Sequence, residues 1–253
     1  MREYEPFART GNAYPVNAVL DRTSYGYCLA LQAKVRFTDL RWKKDGASFR
    51  QNRNKVLAGF RSWKGNYVLQ SGQMLAVRVY LQETRKRRGS VKVLFYDEGS
   101  LKGAEVFAGR GKLGKKIARA LRTPGFALAA WKPQRWRPWK NGAVGIRTDM
   151  ERFPADELAR HEFGHVLGLG DLYRDPLLGL NGITGSAAEY FLPCRKQNGR
   201  YHAVMDDNGP VTDTDAEMML LAQTSGRFQQ YQKQNGKGTV SAVIAGGKGE
   251  IAR

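Results

Sequence analysis

An α/β fold in one domain is predicted by three observations: strand-like alternation in three separate stretches, an amphipathic helical stretch between the first two, and a later helix with readable ends. Tyr25 to Phe37 alternates well enough for a first strand. Phe49, Val56, Leu57, Phe60 and Trp63 then fall at helical spacing, with Arg50, Arg53, Lys55, Arg61 and Lys64 elsewhere, which is a helix with a basic outer face. Val77, Val79 and Leu81 alternate, as do Val91, Val93 and Phe95, and the polar run Arg85 to Gly89 connects them. A strand, helix, strand, strand order implies an α/β (α+β) upper lobe. The chain has 253 residues, 42% of them hydrophobic, enough to bury a full core, and it contains no internal repeat.

The later helix carries the chemistry. Pro154 can open it, Asp156 and Glu157 suit the positive end of its dipole, and Leu158, Val166 and Leu167 supply apolar positions. Gly168 and Gly170 mark its finish, because glycine takes the left-handed conformation that turns a chain off a helix end. Within it stands His161-Glu162-Phe163-Gly164-His165. Residues four apart share a helix face, so both imidazoles can reach one ion. Glu162 is rotated about 100° from His161 and suits the role of general base, holding a metal-bound water. A catalytic zinc takes three protein ligands and keeps one open position. Asp171 is the nearest candidate for the third, with Asp175 and His202 as substitutes.

The segment HEFGHVLGLGD, His161 to Asp171, resembles the extended zinc signature of the metzincin metallopeptidases. Their usual form ends in a third His, and Asp171 stands there in this chain, as in the snapalysin-like Asp-ligand members. Tyr201-His202-Ala203-Val204-Met205-Asp206 resembles the family's methionine turn, with Met205 as the match. Gly125 to Pro133 and Ala143 to Asp149 resemble the last two strands before the zinc helix. The first of them corresponds to the substrate-binding edge strand, at Phe126, Ala127, Leu128, Ala129, Ala130 and Trp131.

The resemblance implies a zincin with a twisted mixed five-stranded sheet, two helices in the upper lobe, a zinc helix, and a smaller C-terminal lobe with the Met-turn and a C-terminal helix. That last helix would be Ala216 to Gln223, capped by Thr214 or Asp215. The expected organisation is an N-terminal arm at 1–24, a catalytic domain at 25–231 divided after residue 170, and a Gly/Lys-rich tail at 232–253, read as a mobile tail or an irregular strand. The implied activity is zinc-dependent endopeptidase, with one catalytic Zn2+ on His161, His165 and Asp171, Glu162 as general base, and a protein or peptide substrate. A structural Ca2+ is not decided by the sequence. Astacin-like and serralysin-like members carry a tyrosine two residues after the turn methionine; Asp207 occupies that position here, leaving Tyr173 or Tyr201 as replacements.

Charge is the second conspicuous feature. Forty-two Lys and Arg against twenty-three Asp and Glu give a formal net charge of +19, with a pI near 10.1. The excess gathers at Arg41 to Lys44, Arg50 to Lys64, Arg85 to Arg88, Arg110 to Arg122 and Lys132 to Lys140, which points to an acidic substrate or an anionic surface polymer, with nucleic acid as runner-up. A cationic polyanion-binding or nucleic-acid-binding module on a zincin frame, with structural zinc or none, is therefore the alternative function. Trp131-Lys-Pro-Gln-Arg-Trp-Arg-Pro-Trp-Lys140 interleaves aromatic rings with cations; a packed loop stapled by Pro133 and Pro138 is its simplest reading, ahead of a cleft rim and of a nucleic-acid contact.

Cys28 and Cys194 are the two cysteines, too few for a disulfide framework, and either a single bridge or two free thiols fits. No apolar run is long enough to span a membrane. Arg2, Glu3, Glu5 and Arg9 break the apolar centre that a secretory signal needs. A secreted or exported monomer is the expectation, by removal of a leader or by another route.

Overall fold

The computed structural model describes residues 3–41, 44–97, 125–127, 136–139, 142–149, 154–170, 193–194, 205, 209–233 and 240–244. Its centre is β3 (Gly26–Asp39), a strand long enough to take different partners along its length. β2 (Val16–Thr23) pairs antiparallel with its first half, and β5 (Met74–Glu83) runs parallel to it from Gly26 to Val35. Beyond the end of β2, β6 (Val91–Tyr96) pairs parallel with Val35 to Asp39. β8 (Ala143–Arg147) continues the sheet in parallel, and β7 (Gly125–Ala127) closes it as an antiparallel edge. β1 (Phe7–Arg9) and β4 (Gly65–Val68) add antiparallel margins on β2 and β5.

The mixed α/β class stands, and the sheet expected to have five strands has eight among the described residues. The three additions come from segments without a long apolar alternation of their own. Val16, Ala18 and Leu20 alternate for only three positions, yet they are buried because β3 offers a full-length partner. The segment 1–24 expected as an arm thus supplies β1 and β2.

Three α-helices lie among the described residues. α1 (Gly46–Arg61) begins at Asp45, whose carboxylate accepts from the backbone N–H groups of Ala47 and Ser48 at 3.2 and 2.7 Å. It buries Val56, Leu57 and Phe60 and turns Arg50, Lys55, Arg61 and its neighbour Lys64 outward, as its spacing predicts. α2 (Ala155–Leu167) packs on α1 through stacked Phe60 and Phe163 rings, 4.2 Å between centroids. Gly59 permits the close crossing: a Cβ there would meet Ala159 Cβ at 2.9 Å and collide with the Asp156 carbonyl.

α3 (Asp213–Ser225) is buried from Asp215 to Gln223. Its cap is Thr212, not Thr214 or Asp215: Thr212 Oγ1 accepts from Asp215 N–H at 3.2 Å, and Asp215 Oδ2 accepts from Thr212 N–H at 2.9 Å, a reciprocal box. Glu217 ties α3 to the upper lobe. Its carboxylate accepts from Tyr4 Oη at 3.1 Å and from Gln70 N–H at 2.7 Å. A second sheet joins β9 (Pro193–Cys194), β11 (Val240–Ile244) and β10 (Gln229–Lys233), so the glycine-rich C-terminal segment holds a regular strand at 240–244. Cys28 lies half-buried in β3 as a free thiol. No helix among the described residues is long and apolar enough to cross a membrane.

Candidate metal centre

α2 starts at Pro154, with Asp156 and Glu157 in its first turn, and ends at Gly168, whose φ of 104° is the left-handed cap predicted for it. No Cβ would fit there, since it would lie 2.8 Å from both Ala222 Cβ and Trp136 Cζ2.

The last carbonyls of α2 are all satisfied, each in a different way. Gly164 accepts from Leu169 N–H at 3.0 Å and His165 from Gly168 N–H at 3.1 Å. Val166 accepts from Trp136 Nε1 at 3.3 Å, and Leu167 from Gln223 Nε2 at 2.7 Å. Gly168 itself accepts from Gln229 N–H at 2.7 Å, while Gly170 N–H donates back to Gln229 at 2.8 Å. Thus the chain leaving α2 is held by the 136–139 loop, α3 and β10 together. Trp136, 1% exposed, bears out the packed-loop reading of the tryptophan-rich segment at that position.

On this helix His161, Glu162 and His165 are 3, 5 and 3% exposed, and one donor atom from each lies within 4.8 Å of the others. The imidazole centroids are 5.0 Å apart with planes at 85°. Glu162 Oε2 lies 4.0 Å from His165 Nε2. A carbonyl can only accept, so the 2.8 Å contact between His165 Nδ1 and Leu169 O puts the proton on Nδ1 and leaves the Nε2 lone pair for a ligand. Two imidazoles and a carboxylate, converging and buried, form a donor set that a divalent metal of the zinc type takes, so these residues could hold a metal ion.

Two contacts shape the group. Gly125, the first residue of the edge strand β7, stands against Glu162: a Cβ on it would lie 2.8 Å from Oε1 and 3.2 Å from Cγ. On another side Met205, fully buried, sets its Sδ against Gly164, with Trp63 Cζ2 3.0 Å from where a Cβ on that glycine would be. Trp63 also donates through Nε1 to the Arg160 carbonyl at 2.9 Å, fixing the turn before His161.

The structure therefore brings together His161, Glu162, His165, Met205 and the start of the edge strand. Asp171, Asp175, Tyr173, Tyr201, His202, Asp207 and the strand positions Leu128 to Trp131 lie outside the described residues, and of Phe126 and Ala127 the backbone is in β7. Sequence reading missed the Leu169 carbonyl, Gln223 and Trp63 as supports. A backbone carbonyl carries no residue signal, and a Gln on α3 reads as an ordinary polar position. No family model, curated protein or solved structure matches this chain, so its functional reading rests on the geometry of this centre.

Proposed function

We propose that the protein is a zinc-dependent endopeptidase whose general base is Glu162. The observation that carries this reading is the buried convergence of His161, Glu162 and His165 beside an antiparallel sheet edge. A purely structural tetrahedral site has no use for a carboxylate wedged between two imidazoles and a sheet edge.

His161 and His165 would hold the ion through Nε2, with Asp171 as third ligand. The chain from Leu169, pinned beside His165, needs only two more residues to reach Asp171, a span of at most about 7 Å. The metal, when bound, supplies Lewis acidity and lowers the pKa of water at its open position. Glu162 takes the proton of the attacking water and hands it to the departing amine, which its buried position favours by keeping bulk solvent from the carboxylate. β7 is the last strand of the sheet order among the described residues, and an extended peptide pairing with it would run past Gly125 and bring its carbonyl to Glu162. Binding of an extended peptide as an added strand suits cleavage within a chain. Asp171 would make the water somewhat less acidic than a third histidine would.

The test compares wild type with Glu162→Ala after remetallation. Zinc-dependent hydrolysis of a casein-type substrate that is lost in the variant, with stoichiometric metal in both proteins, supports the proposal. Absence of a bound ion in the wild type, or hydrolysis that survives Glu162→Ala, overturns it.

A further inference from the structure

The face of the large sheet opposite the helices carries a pattern that the metal centre does not use. In β3, Tyr27, Leu29, Leu31, Ala33 and Val35 point to the core, so Gln32, Lys34 and Arg36 stand on the other face. Register partners share a face: Arg78 pairs with Ala30, Tyr80 and Asn17 with Gln32, and Lys92 with Arg36. Lys34 and Arg36 are two positions apart on β3, roughly 7 Å, and Lys92 is directly across from Arg36 at roughly 5 Å.

Like charges set directly opposite are destabilising unless an anion joins them. No carboxylate does so: among the described residues Lys34, Arg36, Arg78 and Lys92 are in no ion pair, and Lys34 Nζ donates to Asn12 Oδ1 at 3.1 Å. The Nε of Arg36 is buried without an acceptor. Asp21, opposite Cys28, is the acidic residue at the far end of this face.

Two exposed aromatic rings flank the cations. Tyr80, 58% exposed, rises between Arg78 and Gln82 directly across from the Gln32 amide, with Asn17 one strand farther on and its Oδ1 accepting from Gly11 N–H. Trp139, 48% exposed, meets Tyr14 edge-on at 6.4 Å, and the next residue, Pro15, accepts from Lys34 N–H at 3.3 Å. Cations without acidic partners among the described residues, an exposed ring and a neighbouring amide on one sheet face are the elements that hold an unpaired strand: phosphates on the cations, a base on the ring, a base edge on the amide.

We infer that this outer sheet face, through Lys34, Arg36, Lys92 and Tyr80, binds single-stranded nucleic acid at a surface separate from the metal centre. The inference does not rest on the peptidase reading, and its test involves no hydrolysis. Full-length protein is titrated against a labelled oligothymidylate and against a short heparin fragment over a salt series, alongside Arg36→Gln/Lys92→Gln, Tyr80→Ala, Tyr80→Phe and Glu162→Ala.

The double charge variant weakens oligothymidylate binding roughly tenfold or more and lowers the salt slope by about one for each cation removed. Tyr80→Ala weakens it roughly fivefold or more with the slope unchanged, Tyr80→Phe restores it, and Glu162→Ala binds as wild type. Circular dichroism melting checks that each variant is folded. No oligothymidylate binding by the wild type, binding indifferent to the double variant, or a heparin preference with Tyr80→Ala silent would each overturn the inference; the last outcome makes the face a site for charge alone.

Discussion

Gly125 and Glu162 are in contact across the sheet edge: a single methyl group on the glycine would lie 2.8 Å from the carboxylate oxygen. The contact makes the position of the proposed base depend on a residue that bears no side chain. Gly125→Ala should push the Glu162 carboxylate aside while leaving both imidazoles in place. Because the displaced atoms end a side chain, the stability cost should stay near 1 kcal/mol or below. The turnover number should fall at least about tenfold with metal content unchanged. Metal analysis beside peptidase kinetics checks this, and loss of the metal together with the activity would refute it.

Gly164 sits between the two histidines with Met205 Sδ and Trp63 against it. Here the neighbours are fully buried and cannot swing away. Gly164→Ala should therefore cost about 1–3 kcal/mol by overpacking and weaken metal binding as the helix shifts. Gly164→Ala should cost less in a Met205→Ala background than in wild type, which urea unfolding of all four proteins of that cycle measures. An equal cost of Gly164→Ala in both backgrounds would place the strain elsewhere.

Removing the ion should lower stability, because a ligand that binds the folded chain alone stabilises it by mass action. With free metal at about a hundred times its dissociation constant, the effect is about 2.7 kcal/mol. Chelator should lower the melting temperature of wild type and leave that of His165→Gln nearly unmoved. Equal shifts in the two proteins would mean that the chelator acts at some other place.

Asp39 gives the acid response its sign. Arg41 donates to both of its oxygens at 2.8 Å and holds its carboxyl below the usual range, chiefly through these hydrogen bonds, against a smaller opposing effect of burial. A carboxylate with a lowered folded pKa adds stability above its unfolded pKa, near 3.9, and loses it as the pH falls through the folded value. Arg41 also donates to Ser48 Oγ and to the Asp45 carbonyl, so the pair braces the start of α1, which packs on α2. Asp39→Asn should cost roughly 1–2 kcal/mol at neutral pH, with the gap to wild type closing as the pH falls below the unfolded value of about 3.9. Denaturant melts over a pH series would count against the pair if the gap stayed constant.

What the residues alone determined is local. Alternation marked β3, β5 and β6, helical spacing marked α1, and the four-residue step from His161 to His165 aligned two imidazoles whatever the rest of the chain did, because periodicity is a property of the backbone. Gly168 ended α2 for the same reason: its left-handed φ suits glycine. The number of strands depended on partners distant in sequence, and no local pattern contains it, whereas the cap of α3 is a box only three residues long, Thr212 with Asp215. Only the tertiary structure decided that Val16 to Thr23 joins the sheet, that Met205 lies under Gly164, that Gly125 touches Glu162, and that the Leu169 carbonyl accepts a hydrogen bond from His165 Nδ1. Each is a contact between segments whose meeting is set by packing the whole core, since burial rewards the arrangement that removes the most apolar surface from water and not any single pair.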